Sequence, residues 1–194
     1  FLSGIPGTIG GALAMNAGCY GSEIWSFVKK VKMINADGDL IERNPNDFKV
    51  GYRKIQKKNK AENFVGAWFS FPKGNKLEAE AGIRKLLAHR KSTQPLSWPS
   101  AGSTFKNPDN NHAAKLIEDC GLKGFKIGDA KISEKHANFI INLGAARAKD
   151  IEDLIKYIKK IVFRETKIKL IPEVEILSLI HISEPTRRTP ISYA

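Results

Sequence analysis

The 194-residue sequence lacks the features that mark several large classes of protein. It has two cysteines, Cys19 and Cys120, far apart and without CxxC spacing, which argues against a disulfide scaffold or a zinc site and is typical of a reducing compartment. No apolar run approaches the roughly 20 residues that span a bilayer, and no signal peptide is recognisable. We therefore expect no bound metal and no membrane insertion.

The sequence also lacks the two best-known nucleotide-binding fingerprints. Residues 1–22 contain six glycines, yet they form neither G-x-G-x-x-G nor a P-loop, because no Gly-Lys-Ser/Thr follows them. Glycines at this density let backbone N–H groups approach an anion closely. They are equally consistent with a turn into a buried helix at residues 12–16. Because the chain opens in this motif without a Met, we expect it to come from a longer protein.

Acidic residues are scarce relative to basic ones. The formal net charge is +12, while the 42% of hydrophobic and 27% of charged residues are those of a soluble globular protein. A nucleic-acid-binding module is one interpretation of this charge. However, the lysines are dispersed, and the densest run, residues 54–60, lacks the aromatic side chains that stack on bases. We favour a basic surface that attracts an anionic small molecule.

The first half of the chain is predicted to be rich in β-structure. A hairpin is predicted at residues 28–41, where Asp-Gly forms a strong turn signal. Residues 44–51 are predicted as a short helical turn and residues 64–71 as a buried strand. Residues 52 and 53 are predicted to be exposed beside a lysine-rich loop. Residues 76–90 have the apolar spacing of a helix, with Leu77, Ile83, Leu86 and Leu87 on one face.

The second half is predicted to alternate helices and strands after a proline-bearing connection at residues 91–99. One helix is predicted at residues 113–120. Another is predicted to begin at Asp150 as its N-cap, with a core stripe of Ile151, Leu154, Ile155, Ile158, Ile161 and Val162. Strands are predicted at residues 137–143 and 168–177. The second of these strands carries a proline, which limits it to an edge or a bulge.

One polar stretch combines a hydroxyl, an amine and an amide. Residues 100–108, Ser-Ala-Gly-Ser-Thr-Phe-Lys-Asn-Pro, are predicted to form a glycine-bent loop that turns Ser103 toward a pocket. Taken alone, Ser103 is also ordinary turn chemistry, Arg53 an ordinary surface charge and Glu173 a charged residue at a strand edge. Their significance comes from the motifs around them.

These motifs follow one another in a fixed order. They are Gly4-Ile-Pro-Gly-Thr-Ile-Gly-Gly11, Asn16-Ala-Gly18, Gly51-Tyr-Arg53, residues 100–108 and Pro172-Glu-Val174. With this ordered set the sequence resembles the UDP-N-acetylenolpyruvoylglucosamine reductase (MurB) family from residue 1 to about residue 176, and it is most similar to the type II subclass. The resemblance implies an α+β fold, in which the second part of a PCMH-type FAD-binding domain precedes a smaller α/β C-terminal domain.

The resemblance also implies an activity. It indicates an FAD-dependent oxidoreductase with NADPH as co-substrate, which reduces UDP-N-acetylenolpyruvoylglucosamine to UDP-N-acetylmuramate in bacterial peptidoglycan precursor synthesis. The implied catalytic residues are Arg53, Ser103 and Glu173. The implied substrate-binding residues are Tyr52, Asn107 and Lys123. The implied cofactor-binding residues are Gly4, Ile5, Pro6, Gly7, Thr8, Gly10, Gly11, Asn16, Gly18 and Gly21.

The chemistry of this reaction agrees with those residue types. Hydride transfer to C3 of the enolpyruvyl group leaves negative charge on an enolate-like carboxylate. The permanent charge and forked donors of Arg53 suit the stabilisation of that charge. Ser103 would then deliver a proton to C2, which is basic enough to take it. This sequence has Ile55 where the family usually has a serine, two residues after the arginine.

By the same resemblance the chain has three parts. Residues 1–92 are the C-terminal part of an FAD-binding domain, and residues 93–177 are the substrate-binding domain. Residues 178–194 resemble a translated sequencing adapter and are predicted to be disordered. We expect a cytoplasmic bacterial monomer that binds a UDP-sugar and no nucleic acid. The alternatives are another FAD-domain oxidoreductase, in which residues 100–108 together with Glu173 would not be expected, or a basic nucleic-acid-binding module.

Overall fold

The computed structural model describes residues 1–177, which fall into two compact units, Phe1–Ser92 and Thr93 onward. Each unit has its own cluster of buried hydrophobic side chains. The predicted disordered tail, residues 178–194, lies outside the described residues. Within residues 1–177, no helix is both long and apolar enough to cross a membrane.

The first unit contains two helices and seven strands. Strand β3 is the centre of a three-stranded antiparallel sheet between β4 and β7, whereas β1–β2 and β5–β6 are separate hairpins. In chain order these elements are α1 (Ile9–Ala14), β1 (Gly18–Cys19), β2 (Ser22–Glu23), β3 (Val28–Ile34), β4 (Leu40–Arg43), β5 (Phe48–Gly51), β6 (Lys54–Lys57), β7 (Asn63–Phe69) and α2 (Lys76–Thr93).

The predicted hairpin at residues 28–41 is confirmed. Strands β3 and β4 pair with Met33 opposite Ile41, and Gly38 in the turn has a φ of 90°, which favours glycine. The inward side chains of β3, Val31 and Met33, are fully buried with Leu13 of α1. The core of this unit therefore lies between the three-stranded sheet and α1.

Three predictions for the first unit are wrong in detail. The helical turn at residues 44–51 is limited to a 3-10 turn at Pro45–Asp47, because the following residues form β5. The lysine-rich loop is instead strand β6, which pairs with β5. Strand β7 is not buried on both faces, since Val65 and Trp68 face solvent. The alternation of its side chains is interrupted where the register with β3 shifts, because Lys32 pairs with Gly66 and Met33 with Phe64.

The predicted helix at residues 76–90 forms but is less buried than its pattern suggests. Helix α2 runs on to Thr93. Leu77, Ile83 and Leu87, three residues of the predicted apolar face, are exposed, while Arg90 is buried. Periodic spacing predicted the helix correctly but not which of its side chains are covered.

The second unit is an antiparallel sheet with two helices. The sheet order is β8-β11-β10-β9. Four residues of the predicted apolar stripe of α4 are buried, namely Leu154, Ile155, Ile158 and Val162, whereas Ile151 and Ile161 are partly buried against the same cluster. The elements are β8 (Ser100–Ser103), α3 (Ala113–Asp119), β9 (Lys126–Ile127), β10 (Ala130–Ile132), β11 (Phe139–Asn142) and α4 (Ala148–Thr166).

Residues 100–108 are not simply a loop, because their first four residues form the edge strand β8. Ser103 of β8 pairs with Phe139 of β11, and the register shifts between Phe139 and Ile141. Gly102 has a φ of 79°, so the predicted need for glycine at the bend is real even though the bend lies within a strand.

Two further expectations for the second unit are corrected. Residues 168–177 do not form a strand and pair only through an isolated bridge between Pro172 and Phe105. The N–H groups of Lys106 and Glu173 make the two hydrogen bonds of this bridge, to the carbonyl oxygens of Ile171 and Thr104. Asp150 is the third residue of α4 rather than its N-cap, which is Arg147. Its carboxylate still accepts the Arg147 N–H at 3.0 Å, as in a capping box.

Candidate functional site

The glycine-rich opening, residues 1–22, lines a concave surface in the first unit. Thr8 is the N-cap of α1, and its hydroxyl oxygen accepts the N–H of Gly11 at 3.1 Å. The concavity has a volume of about 470 Å³. Its lining residues are Leu2, Ile5, Pro6, Gly7, Thr8, Ile9, Gly11, Ala12, Met15 and Ala17.

Three of the glycines in the opening have left-handed backbone. The φ angles are 78° at Gly4, 144° at Gly7 and 76° at Gly21. A Cβ at Gly4 would lie 2.8 Å from Leu87 Cδ2, whereas a Cβ at Gly7 would have no neighbour within 4 Å. Gly7 therefore presents open backbone on the concave surface, where a ligand can approach it closely.

Two other glycines are required by the packing of the protein itself. A Cβ at Gly10 would lie 3.1 Å from the carbonyl oxygen of Phe64 in β7. A Cβ at Gly18 would lie only 2.4 Å from the carbonyl oxygen of Ser22 in the facing strand. The dense glycines of the sequence thus serve different purposes, which their spacing did not reveal.

Arg53 lies on the turn between β5 and β6 and reaches the segment that follows α1. Its Nη2 donates to the carbonyl oxygen of Gly18 at 2.8 Å, and its Nη1 donates to that of Asn16 at 3.4 Å. The guanidinium carbon lies 5.1 Å from the ring centroid of Tyr52, which is itself exposed. Arg53 is half-buried, so the prediction of an exposed residue is wrong for it.

Asn16 is completely buried beside this arginine. Its Nδ2 donates to Glu23 Oε2 at 2.7 Å and to the carbonyl oxygen of Gly51 at 3.1 Å. Together with the hydrogen bonds of Arg53, these contacts join the Asn16-Ala-Gly18 motif to the Gly51-Tyr-Arg53 motif.

Ser103 and Glu173 lie close together in the second unit. The N–H of Glu173 donates to the carbonyl oxygen of Thr104 at 2.8 Å, directly after Ser103 in the chain. Both Ser103 and Glu173 are half-buried. The bridge between Phe105 and Pro172 continues the same contact, so the two motifs run side by side. Arg53, the third predicted catalytic residue, belongs to the other unit.

Asn138 holds the segment that carries Ser103, and the sequence reading did not single it out. Its Oδ1 accepts the N–H of Phe105 at 2.9 Å, and its Nδ2 donates to the Phe105 carbonyl oxygen at 2.8 Å. Its own carbonyl oxygen accepts the N–H of Thr104 at 2.8 Å. The signal in the sequence was an asparagine between two apolar residues, Ala137 and Phe139, where a polar side chain needs buried partners.

The two remaining predicted substrate residues already have partners within the second unit. Asn107 Oδ1 accepts the N–H of Ala113 at 3.1 Å and so supports the start of α3. Lys123 Nζ lies 2.6 Å from Glu118 Oε1 in a partly exposed ion pair. An anionic ligand at Lys123 would have to compete with that carboxylate.

His136 lies on the turn between β10 and β11, near this ion pair. Burial lowers the pKa of its imidazole, the positive charge of Lys123 lowers it further, and hydrogen bonding and Glu118 oppose the shift. Its Nδ1 accepts the N–H of Asn138 at 3.3 Å. Among residues 1–177 there is no group of three or more His, Cys, Asp and Glu side chains that could hold a metal ion.

Comparison with known proteins identifies the relatives of both units. Residues 94–177 match the model of the UDP-N-acetylenolpyruvoylglucosamine reductase C-terminal domain, and residues 1–44 match an FAD binding domain. UDP-N-acetylenolpyruvoylglucosamine reductase from Nitrosomonas eutropha is 51% identical over 91% of this chain and 55% of its own length. The chain belongs to this reductase family. The predicted α+β fold, with a flavin-domain part before a MurB C-terminal domain, is confirmed.

Other relatives support the same assignment. The reductase from Thiobacillus denitrificans is 49% identical over 91% of this chain and 55% of its own length. The crystal structure of MurB from Thermus caldophilus matches with a TM-score of 0.78 and 36% identity, over 90% of this chain and 62% of that one. The chain thus spans a little more than half the length of the curated relatives it matches.

Proposed function

We propose that this chain is part of an FAD- and NADPH-dependent reductase that converts UDP-N-acetylenolpyruvoylglucosamine to UDP-N-acetylmuramate. The observation that carries the proposal is that residues 1–44 match an FAD binding domain and residues 94–177 match the reductase C-terminal domain, in a chain 51% identical to one reductase over 91% of its length. The side-by-side arrangement of the Ser103 and Glu173 motifs within the second unit is consistent with it. We further propose the domain limits 1–92 and 93–177, which the separate hydrophobic clusters support.

The residues of the first unit fit a flavin dinucleotide. The concave surface is lined by apolar side chains and by the open backbone of Gly7, which suits a flat ring and its diphosphate. Ile5 and Ile9 are exposed large apolar residues there and would be covered by such a ligand. When bound, FAD supplies the hydride chemistry, and the protein supplies binding, orientation and charge.

Arg53 is the proposed stabiliser of negative charge on the substrate. Its guanidinium carries a permanent charge, and two backbone carbonyls of residues 16 and 18 fix its direction. A cation held in this way loses little entropy when an enolate-like carboxylate forms, which is the condition for electrostatic catalysis.

Ser103 is the proposed proton donor to C2 of the substrate, and Glu173 assists at the same site. Ser103 is the last residue of β8, and Phe105, two residues further on, is held by the side chain of Asn138 and by the bridge to Pro172. A firmly held hydroxyl matters because proton transfer requires donor and acceptor within hydrogen-bond distance.

A chimeric enzyme tests this function. Residues 1–177 would be joined to the N-terminal region of the Nitrosomonas eutropha reductase that this chain does not span. We expect the purified chimera to hold FAD and to oxidise NADPH when UDP-N-acetylenolpyruvoylglucosamine is added. Ser103→Ala should lower kcat by roughly 100-fold or more with FAD still bound, as expected for loss of a general acid.

Ser100→Ala is the matched control, because Ser100 lies on the same strand and its hydroxyl oxygen accepts the local N–H of Gly102, at 3.4 Å. We expect near-parental kcat for this variant. Equal activity of the Ser103 and Ser100 variants would remove Ser103 from the proposed chemistry. A chimera that binds FAD but does not respond to the UDP-sugar would point to another FAD-domain oxidoreductase.

We also propose that the partner is a UDP-sugar, that nucleic acid is not bound, and that the protein acts as a monomer in the bacterial cytoplasm. Exposed ion pairs neutralise part of the basic charge. Examples are Lys30–Glu42, Lys115–Asp119 and Lys149–Asp153. A titration with duplex DNA at low salt should therefore show no binding that competes with the UDP-sugar.

A further inference from the structure

The polar groups of Asn16 are almost all used inside the chain. Its N–H donates to the Leu13 carbonyl oxygen at 3.3 Å, and its carbonyl oxygen accepts from Arg53. Its side-chain amide donates to both Glu23 and the Gly51 carbonyl. Within residues 1–177 only its Oδ1 lacks a partner, and that atom is buried. Asn16 was predicted to bind the cofactor, yet it has little left to offer one.

The orientation of this amide is unambiguous. Both neighbours of Nδ2 are acceptors, a carboxylate oxygen of Glu23 and a backbone carbonyl oxygen of Gly51, so the NH₂ group must face them. The bond to Gly51 ends two residues before Arg53. Asn16 therefore contacts the arginine turn twice, once through its side chain and once through its own carbonyl.

The backbone at both ends of this contact is unusual. Asn16 has a φ of 45° and Arg53 has a φ of 52°. Asparagine tolerates the left-handed region better than most residues, but arginine does not favour it. Such a conformation persists only where the surrounding structure holds it, and it is found preferentially at functional sites.

We propose that Asn16 is a positioning residue for Arg53 and does not itself bind the flavin. Its amide fixes the Gly51 end of the turn, and its carbonyl, together with that of Gly18, receives the guanidinium. Residues 16–18, which follow α1, thereby set the direction of the arginine. The role in catalysis rests on the proposed function, whereas the geometric role does not.

The first test uses the full chain and needs no activity. Asn16→Gly keeps the left-handed backbone, because glycine adopts it freely, and removes only the side chain. We expect phenylglyoxal to modify Arg53 roughly fivefold faster in this variant, measured by peptide mass spectrometry, since a lost hydrogen bond shifts populations by about that factor. Asn110→Gly is the matched control, because Asn110 is also left-handed, with a φ of 57°, but lies exposed on another turn.

The second test changes the hydrogen bond in which the Asn16 amide donates to the Glu23 carboxylate. Asn16→Asp places a carboxylate against Glu23 and should accelerate modification of Arg53 at least as much as the glycine variant. Adding Glu23→Gln returns a donor to that pair, so the double variant should recover part of the protection. Recovery by a compensating change would not be expected if the single substitution had merely unfolded the unit, and thermal melting of each variant checks this directly.

The third test measures the chimeric enzyme. We expect Asn16→Gly to lower kcat roughly tenfold while FAD occupancy and the KM for NADPH stay at parental values, because Arg53 acts on the UDP-sugar. Unchanged reactivity of Arg53 in both Asn16 variants would overturn the proposal. Loss of FAD with unchanged Arg53 reactivity would also overturn it and make Asn16 a cofactor contact. If the parental chimera is inactive, the proposed function fails, while the reactivity of Arg53 in the full chain still decides the positioning role.

Discussion

Gly18 makes a close approach to its hairpin partner and a hydrogen bond to Arg53. Its strand approaches its hairpin partner so closely that a Cβ would lie 2.4 Å from the Ser22 carbonyl oxygen. The same peptide group receives the Arg53 guanidinium at 2.8 Å. The glycine therefore permits the close hairpin that places an acceptor for the arginine.

We predict that Gly18→Ala destabilises the first unit by about 1–3 kcal/mol, because the clash is with backbone rather than with a flexible side chain. Thermal unfolding of the full chain measures the effect. Gly82→Ala is the control of opposite sign, since Gly82 lies in α2 with no atom near its missing Cβ. It should stabilise the protein by roughly 0.5–1 kcal/mol. If the Gly18→Ala protein is as stable as the parent, the β1–β2 hairpin accommodates the added Cβ without a change in the free energy of unfolding.

The side chain of Asn138 pairs with both backbone polar groups of Phe105, so its removal should destabilise the second unit. Asn138→Leu would leave both backbone groups of the buried Phe105 without their partner. We expect a loss of about 2–5 kcal/mol, from an unsatisfied donor and an unsatisfied acceptor together. Urea unfolding measures it, with Asn46→Leu as the exposed control that should change stability by less than about 0.5 kcal/mol. A small effect at position 138 would mean that water replaces the amide.

At the scale of elements, the turn between β10 and β11 is closed by local hydrogen bonds and contains the titratable side chain of His136. Ser133, itself buried, accepts the N–H groups of Lys135 and His136, and His136 packs against Phe139 with ring centroids 4.9 Å apart.

The sequence predicted β11 but neither β9 nor β10, which are two and three residues long and are connected by a turn that begins at Gly128. Strands this short have too few residues to show an alternating pattern.

The lowered pKa of His136 makes a prediction about pH. The unfolded chain protonates this histidine near its ordinary pKa of 6.5, whereas the folded chain resists protonation until a lower pH. Stability contributed by the neutral form is therefore present above about pH 6.5 and is lost as the pH falls toward the folded pKa. Urea midpoints at pH 7.5 and 5.5 should differ more for the parent than for His136→Asn. Equal differences would assign the pH dependence to other groups.

Helix α2 and the segment after α4 mark the limits of pattern reading at this scale. The spacing of Leu77, Ile83 and Leu87 predicted a helix but not the exposure of these side chains. The apolar residues at 168–177 resembled a strand, yet only Pro172 pairs, and only as a bridge. Periodicity reports local geometry, whereas burial and pairing depend on which neighbour is present.

At the scale of the whole molecule, the chain is two units with separate cores. The second unit buries a cluster of fourteen hydrophobic residues drawn only from positions 105–170. The cluster of the first unit lies within residues 2–69. Neither cluster needs a residue of the other unit, which is the usual property of independent domains.

We predict that residues 93–177 fold without residues 1–92. Expressed alone, this fragment should show native helical circular dichroism and a single cooperative urea transition, because 85 residues with such a core exceed the size of many independent domains. The full chain under the same conditions is the reference. A fragment without a cooperative transition would show that the second unit depends on the first and would move the proposed domain limit.

The sequence by itself determined the family, the fold class, the hairpin at residues 28–41 and the core stripe of α4, because these depend on local order and spacing along the chain. Tertiary structure decided which contacts each motif residue makes. A Cβ at Gly7 would meet no atom within 4 Å, a Cβ at Gly18 would meet the facing strand of its own hairpin, and the carbonyl oxygen of Asn16 accepts a hydrogen bond from Arg53, 37 residues further along the chain. Distances between motifs that are far apart in sequence are set by the folding of intervening strands, and no local pattern contains them.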